Sequence, residues 1–198
     1  MTKPTTAGGY NPDFTAAVEK TCLYIATKLG DLMDDTVVVG GLVPSLIIDT
    51  PATMPHVGTV DLDVGLAVAV LEHKRYQELS ERLRQAGFGP DTNDRGNETR
   101  QRWRIDGPPK VTVDFLIPPS RTGDRGGDVR DIEADFAAII APGLTLAFMD
   151  HQRVRLDGRT IRGDIARREI VVCGPAAFVA MKALALRLRG ENKDAYDL

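Results

Sequence analysis

Cysteine and histidine are scarce in this sequence, and neither is arranged in a metal-binding pattern. The 198 residues include two cysteines and three histidines. Cys22 and Cys173 lie far apart, and His56, His73 and His151 are scattered along the chain. Because zinc sites need several such ligands at short spacings, we expect no zinc site. We interpret both cysteines as reduced core thiols, as is typical of a cytoplasmic protein.

Long apolar segments are also lacking. No run approaches the roughly 20 apolar residues of a membrane-spanning helix, and residues 1–9 contain no apolar signal-peptide segment. These absences predict a cytoplasmic protein without membrane contact. The first nine residues are expected to form a loose tail. Hydrophobic residues make up 42% of the chain, which is enough to build one substantial core.

An excess of positive charge is lacking as well, since the formal net charge is −3. This value does not predict a broad surface for nucleic acid. The arginines nevertheless cluster: Arg100, Arg102 and Arg104 alternate along one segment, and six more lie between positions 153 and 168. Two interpretations stay open, a locally basic cleft that pairs with phosphates or solvated strand faces rich in arginine.

Two aspartates occupy alternate positions in an apolar run at positions 60–64. In a strand, Asp61 and Asp63 share one face while Leu62 and Val64 point into the core. Adjacent carboxylates in an apolar strand repel each other and are costly to bury unless a cation neutralises them. Mg²⁺ prefers such oxygen ligands together with substrate phosphates, so the pair indicates metal-assisted phosphate chemistry. The alternative is that each aspartate simply faces solvent.

A third aspartate lies in the alternating segment at positions 110–117. Thr112, Asp114 and Leu116 alternate there with valine, phenylalanine and isoleucine, which places Asp114 on the less apolar face. A strand paired beside the first two aspartates would bring all three carboxylates together. The preceding segment, 100–105, also alternates and predicts a strand joined to this one by a turn.

Gly40 and Gly41 follow a short β-branched strand at positions 36–39 and precede a predicted helix at 42–48. Glycines at a strand-to-helix junction leave free N–H groups pointing outward, with no Cβ to block a phosphate. The pair therefore indicates an anion site. The alternative is that the two glycines only make a tight turn.

The remaining pattern predicts an α/β protein with a mixed sheet, helices packed on it and a C-terminal helix. The further predicted elements are a helix at 14–32, a strand at 60–70, a helix at 72–86, a loop at 88–99, a mobile loop at 118–131, strands at 144–148 and 152–156 with a hairpin turn at Asp157–Gly158, a strand at 170–173 and a helix at 176–189.

The paired glycines, the segment TVDLDV at 59–64 and the segment VDF at 113–115 together resemble the motifs of the DNA polymerase β-type nucleotidyltransferase superfamily. One departure is the spacing, because roughly 20 residues separate Gly41 from Asp61, more than in compact members. We expect the inserted residues around 49–55 to form a surface loop.

A narrower resemblance comes from the C-terminal segment. Lys182 in an apolar predicted helix is followed by Lys193, Asp194 and Asp197 in a Lys-Asp-x-x-Asp pattern. This arrangement resembles the AbiEii-like, or MenT-like, nucleotidyltransferase toxins of bacterial toxin–antitoxin systems. The combined resemblance covers roughly residues 36–198.

The resemblance implies a mixed β-sheet nucleotidyltransferase core with packed helices. Residues 1–174 would form this core with its N-terminal helix, and residues 175–198 the start of a C-terminal helical part. The toxin family continues further into that part, so an end at Leu198 predicts a short member or a truncated chain.

The resemblance also implies an activity, a metal-dependent transfer of an NMP from an NTP to an acceptor hydroxyl with release of pyrophosphate. The favoured acceptor is the 3′ end of tRNA, other RNA being the alternative, and a cognate antitoxin protein is a candidate partner. The implied cofactor is Mg²⁺ in a two-ion site, or Mn²⁺. The implied site residues are Asp61, Asp63 and Asp114 as catalytic metal ligands, Lys182 as a catalytic and nucleotide-binding residue, and Gly40, Gly41, Lys193, Asp194 and Asp197 as nucleotide-binding residues.

Simpler interpretations remain for the C-terminal residues and for the function. Lys182 could extend its charged end to solvent at a helix edge, and Lys193 with Asp197 could form an ordinary helical ion pair. The same fold could instead act on a small hydroxylated substrate such as an aminoglycoside, for which an acidic acceptor pocket is expected. A non-catalytic nucleotide-binding module is a third possibility.

Overall fold

A computed structural model describes residues 12–49, 58–67, 73–93, 95–107 and 110–198. The predicted N-terminal tail, most of the predicted 49–55 loop and parts of the predicted strand at 60–70, the helix at 72–86 and the turn after 105 lie outside the described residues. The helices are α1 (Pro12–Leu29), α2 (Val43–Ile47), α3 (His73–Gln85), α4 (Leu144–Met149), α5 (Pro175–Arg189) and α6 (Asn192–Asp197). The strands are β1 (Thr36–Val39), β2 (Asp61–Leu66), β3 (Phe88–Thr92), β4 (Glu98–Ile105), β5 (Val111–Ile117), β6 (Val129–Glu133), β7 (Phe136–Ile140), β8 (His151–Arg159) and β9 (Ile165–Cys173).

The strands form one mixed, largely open sheet, which confirms the predicted α/β class. Seven strands follow the order β3-β4-β5-β2-β1-β9-β8, and β7 pairs with β5 while β6 pairs with β7. The central strand β2 runs antiparallel to β1 and parallel to β5. β1 in turn runs parallel to β9. β2 and β5 are far apart in sequence, but their parallel pairing places the corresponding ends of the two strands side by side.

Helices cover both faces of the sheet. On one face Leu62 and Val64 are buried in the core, and α1 packs against β2, β5 and β9. The opposite face carries Asp61, Asp63 and Gly65. A Cβ at Gly65 would lie 2.6 Å from the Leu144 side chain of α4, so this glycine lets α4 pack directly on β2.

Aromatic residues fill the core between α3 and the sheet. Trp103, Phe115 and Phe136 are fully buried. The ring centroid of Phe136 lies 5.1 Å from that of Phe115 and 6.0 Å from that of Trp103, with the rings tilted. Tyr76 of α3 completes the cluster at 6.4 Å from Phe136. Such tilted pairs add to the stability that area burial alone provides.

The predicted strand at 144–148 is wrong, because these residues belong to α4. A short apolar run fits either a strand or a buried helical turn. Leu144 and Ala147 are fully buried whereas Leu146 and Met149 are exposed. A spacing of three between buried residues is that of a helix.

The predicted hairpin turn at Asp157–Gly158 is also wrong, since both residues lie within β8. The chain reverses at residues 160–164, where the Thr160 N–H donates to the Asp164 carbonyl at 2.8 Å. Asp157 instead stands opposite Arg167 and forms an ion pair with it at 2.5 Å. A cross-strand ion pair thus occupies the position that the Asp-Gly dipeptide had suggested for the turn.

The loop predicted at 88–99 contains the edge strand β3, which pairs with β4. Pro90 is typical of a loop, but an edge strand tolerates proline because one side of its backbone pairs with no neighbour. The loop predicted at 118–131 is shortened by β6. There the Asp124 carboxylate accepts backbone N–H groups of Ser120 and Arg121 at 2.7 and 2.9 Å and pairs with Arg130.

No helix in the described parts of the chain combines the length and the apolar character needed to cross a bilayer.

Candidate functional site

The parallel pairing of β2 with β5 brings the three predicted carboxylates together. Asp63 stands directly opposite Asp114 in the register, and Asp61 lies two residues before Asp63 on the same face. One carboxylate oxygen from each residue lies within 4.8 Å of the others. Asp61 and Asp114 are only 6% and 4% exposed, and Asp63 is half-buried. The alternative that each aspartate separately faces solvent is therefore wrong, and we call these residues the acidic triad.

The donor set of the acidic triad fits a hard divalent cation. Mg²⁺ and Mn²⁺ favour carboxylate oxygens, and three of them converge here without sulfur or imidazole ligands among the described residues. Thr59, which is buried, supports the first ligand, because its hydroxyl lies 3.0 Å from Asp61 Oδ1. A hydrogen bond to a ligand carboxylate fixes its orientation.

Arg102 neutralises part of the acidic triad, a role that sequence reasoning missed. Its Nε and Nη2 donate to the two oxygens of Asp114 at 2.7 and 2.5 Å. This hydrogen bonding raises the pKa of Arg102 above its usual value, and the charges of Asp61 and Asp63 act in the same direction. The antiparallel register of β4 and β5 pairs Arg102 with Asp114, and alternation along the two segments could not fix that register in advance.

Gly40 makes room for the acidic triad. Its φ is +75°, and a Cβ at this position would lie 1.9 Å from Asp63 Oδ2. At Gly41 a Cβ would lie 2.8 Å from the Thr59 hydroxyl and 3.5 Å from Lys193 Nζ. The two glycines therefore do more than make a tight turn. They form a 3₁₀ turn, Gly40–Leu42, before the short α2, and they bring backbone close to side chains of the site.

Lys182 lies in a buried ion network between α5 and α6. Its ammonium contacts Asp194 Oδ1 at 3.2 Å and Asp197 Oδ2 at 2.6 Å. Arg189 donates to both oxygens of Asp194 at 2.7 and 2.8 Å, and Lys193 contacts both oxygens of Asp197 at 2.9 and 3.0 Å. We call these five residues the α5–α6 ion network.

Burial decides between the earlier interpretations of this network. Lys182 is only 8% exposed, so the interpretation as a solvent-seeking lysine at a helix edge is wrong. Asp194 and Asp197 supply the anionic partners that a buried lysine requires. Lys193 and Asp197 do form a helical pair at i,i+4, but the Asp197 side chain is fully buried and is shared with Lys182. It is therefore not an ordinary exposed pair.

The pKa values within the α5–α6 ion network follow from burial and charge. Burial alone would raise the pKa of Asp194, but the Arg189 hydrogen bond and the charges of Lys182 and Arg189 outweigh it and hold this pKa below its usual value. Burial lowers the pKa of Lys193, and the hydrogen bond with Asp197 offsets only part of that effect. The network therefore holds Asp194 ionised and makes Lys193 easier to deprotonate than a free lysine.

Asp150 fixes the start of α5 and thereby the position of Lys182. Its Oδ2 accepts the Ala177 N–H at 2.8 Å, which caps one of the free N–H groups in the first helical turn. The Gly174 N–H donates to the Asp150 carbonyl at 2.7 Å, and a Cβ at Gly174 would lie 2.2 Å from Asp150 Oδ1. Glycine at the end of β9 is thus needed for this cap.

A cavity of about 330 Å³ joins the acidic triad to the α5–α6 helices. Its charged lining residues are Asp61, Asp63, Arg102, Asp114, Lys182, Arg189, Glu191 and Lys193, and both Gly40 and Gly41 contribute to its wall. The carboxylates of the triad come from the sheet, whereas three of the cations come from the helices. The cavity therefore has a side suited to a metal cation and a side suited to an anion.

The other clustered arginines serve mainly structural pairs. Arg100 and Arg104 of β4 pair with Asp131 and Asp91, at 2.7 and 3.2 Å, outside the cavity. On the β8–β9 hairpin Arg153 pairs with Glu169 at 2.8 Å. Among the nine clustered arginines, all within the described residues, Arg102 lines the cavity and the others do not. The interpretation of solvated strand faces thus holds for most of them.

Both cysteines are buried free thiols, which confirms their interpretation as core residues. Cys173 reaches the cavity wall, but burial raises its pKa to about 12. Because the thiolate is the nucleophilic form, a thiol with such a high pKa is unsuited to nucleophilic catalysis at neutral pH.

Comparisons of the chain with protein-family models, with curated proteins and with solved structures found no match.

Proposed function

We propose that the protein is a metal-dependent nucleotidyltransferase that moves an NMP from an NTP to an acceptor hydroxyl. The observation that carries this proposal is the two-sided cavity, with the acidic triad on the sheet and Lys182, Arg189 and Lys193 on the helices. A nucleoside triphosphate with its divalent cation presents the complementary charges. The Gly40–Gly41 turn lies between the two sides, and its missing Cβ atoms leave room for the Asp63 and Thr59 side chains.

The roles of the residues follow from this geometry. Asp61, Asp63 and Asp114 would hold Mg²⁺ or Mn²⁺, in a site for two ions, and such ions stabilise the charge on entering and leaving oxygens of an in-line displacement. Lys182 and Lys193 would contact the triphosphate and would then interact less closely with Asp194 and Asp197. The cavity positions the α-phosphate for attack, which supplies much of the catalysis in phosphoryl transfer.

In the proposed reaction the acceptor oxygen forms a bond to the α-phosphorus while the bond from the α-phosphorus to the bridging oxygen of pyrophosphate breaks. Asp114 would take the proton of the acceptor hydroxyl once the site is loaded. The leaving pyrophosphate carries away the electron pair of the broken bond. Lys182, Arg189 and Lys193, which line the cavity, would stabilise this leaving charge.

The assignment of the acceptor rests on the resemblance to AbiEii-like toxins. This resemblance favours the 3′ end of tRNA and a role in a toxin–antitoxin system with a cognate antitoxin. The lining of the cavity is less suited to an aminoglycoside. A polycationic acceptor would favour a uniformly acidic pocket, whereas four cationic side chains, Arg102, Lys182, Arg189 and Lys193, line this one beside four carboxylates.

Incubation of the full chain with each α-labelled NTP, Mg²⁺ and total RNA tests the proposal. We expect label in RNA, at tRNA size, with one or two of the four NTPs, and no label with the matched variant Asp63→Asn. A parallel incubation with a panel of aminoglycosides separates the second acceptor class. Absence of labelled product in both incubations, together with Mg²⁺-dependent NTP binding, would establish the non-catalytic binding module instead.

A further inference from the structure

Arg102 is distinguished from its neighbours on β4 by the partner that it takes. Arg100 and Arg104 lie on the same face of the strand and pair with Asp131 and Asp91 outside the cavity. Arg102 places both arms of its guanidinium on Asp114, a member of the acidic triad. A fork-to-carboxylate pair of this kind engages both oxygens at once.

The Arg102 pair and a divalent cation make competing demands on Asp114. A cation bound by the triad needs at least one Asp114 oxygen, and in this geometry Arg102 already donates a hydrogen bond to each of the two. A guanidinium and a divalent cation on one buried carboxylate would also repel each other strongly, because the Asp114 side chain is only 5% exposed and water screens the charges poorly.

The position of Arg102 allows it to move. Its side chain is 32% exposed, and it lines the cavity that also holds Lys182 and Lys193. Rotation of the long arginine stem would keep the guanidinium in the cavity while freeing Asp114. There the planar fork matches a phosphate group, which arginine binds with two parallel hydrogen bonds.

We propose that Arg102 is an internal competitor for the metal site, released from Asp114 when a divalent cation binds and then available to the triphosphate. This inference rests on the proposed function, since it assigns Arg102 a role in loading that same site. It links the two ligands: the cation frees the arginine, and the arginine then favours the nucleotide that accompanies the cation.

Titration of the full chain with Mn²⁺ alone, followed by electron paramagnetic resonance of free Mn²⁺, tests the competition without any activity measurement. We expect Arg102→Gln to bind Mn²⁺ at least tenfold more tightly than the wild-type chain. Arg102→Lys, which keeps the charge but loses the fork, should show a smaller gain. Arg104→Gln is the matched control, because Arg104 lies on the same strand face but pairs with Asp91, and its Mn²⁺ affinity should equal that of wild type.

A second titration with inorganic triphosphate at saturating Mn²⁺ tests the released state. Here Arg102→Gln should bind at least tenfold more weakly than wild type, so the two affinities change in opposite directions. Circular dichroism spectra establish that each variant is folded, and Arg102→Lys carries both tests if Arg102→Gln is not folded.

The outcomes distinguish this inference from the proposed function. Asp63-dependent Mn²⁺ binding that is unchanged or weaker in the Arg102 variants overturns the competition and leaves the metal site standing, with Arg102 then holding Asp114 in place for the metal. Absence of Asp63-dependent Mn²⁺ binding in all variants, including wild type, overturns the metal site and the competition together.

Discussion

At the scale of single residues, Gly40 sets how closely the backbone approaches Asp63. We predict that Gly40→Ala lowers the free energy of unfolding by at least about 1–2 kcal/mol, the usual penalty for alanine at positive φ. The added Cβ would lie 1.9 Å from Asp63 Oδ2, so the variant should also lose Mn²⁺ affinity. Urea denaturation and Mn²⁺ titration measure the two effects.

Gly89→Ala is the matched control for this prediction. Gly89 lies in the edge strand β3, and a Cβ there would meet no atom within 4 Å. Its replacement should leave stability within about 0.5 kcal/mol of wild type and leave Mn²⁺ affinity unchanged. Equal stability of the Gly40 and Gly89 variants would mean that Gly40 does not need its left-handed backbone.

Lys182 combines a structural and a proposed functional role. From the sequence alone, Lys182→Met is expected to weaken nucleotide binding with little change in stability. The structure revises the second part, because the variant would leave Asp194 and Asp197 buried with one cation fewer. We predict a loss of about 1–3 kcal/mol in the free energy of unfolding.

Chemical denaturation and calorimetric titration with NTP check this prediction, with Lys20→Met on the exposed side of α1 as control. Retained stability in Lys182→Met would show that Arg189 and Lys193 suffice for the two carboxylates. Unchanged NTP affinity in a folded variant would remove the proposed phosphate role of Lys182, while the acidic triad would be unaffected by that result.

The sequence predicts the acidic triad but not Arg102, for a physical reason. Strand alternation assigns a side chain to a face, so Asp61, Asp63 and Asp114 could be grouped once two strands were placed side by side. The partner of Arg102 depends on the register between two strands, and alternation alone does not fix a register when polar residues occupy several positions of the face.

At the scale of elements, long periodic segments were predictable and short ones were not. The helix α5 and the strand β5 carry enough residues for their period to be unambiguous. The run that forms α4 has only six residues, and burial against β2 through Gly65 selects the helical conformation. β3 was missed because its proline and glycine are typical of loops, although its edge position tolerates both.

The docking of α6 on α5 should depend on pH through Asp194. The folded-state pKa of Asp194 lies below the ordinary value of 3.8, so near that pH the unfolded chain binds more protons than the folded chain. The ionised Asp194 therefore contributes to the free energy of unfolding above about pH 4. This contribution is lost as the pH falls through the lowered pKa. We predict that Asp194→Asn is less stable than wild type at pH 7.

Urea denaturation between pH 7 and pH 2.5 tests the direction of this pH dependence. Hydrogen exchange of the α6 amides shows whether the loss of stability is local to α6. The stability difference between wild type and Asp194→Asn should shrink as the pH falls below 4. Glu19→Gln, on the exposed side of α1, is the control that removes a carboxylate outside the α5–α6 ion network. A difference that stays constant with pH would mean that Asp194 acts through shape and not through its charge.

At the scale of the whole molecule, the site depends on contacts between distant parts of the chain. The acidic triad needs β2 and β5 to pair, and the cationic side of the cavity needs α5 and α6 to return to the end of β9. Sequence pattern predicts the elements and their alternation. It does not fix which strands become neighbours, and the placement of the C-terminal residues beside the triad was expected only from the motif resemblance.

A ligand that binds only the folded chain must raise its melting temperature, and this links the whole molecule to the proposed activity. We predict that the Mg²⁺ complex of the accepted NTP, at about 100 times its dissociation constant, raises the melting temperature by roughly 5–10 °C. Asp63→Asn should abolish this shift because it removes one charge of the acidic triad at nearly constant volume. Without ligand, Asp63→Asn should melt at or slightly above the wild-type temperature, since one repulsion among the three carboxylates is relieved.

Differential scanning fluorimetry with each NTP, with and without Mg²⁺, measures both effects. A full ligand-induced shift in Asp63→Asn would place the nucleotide away from the triad, and a large fall in its ligand-free melting temperature would make Asp63 a structural residue.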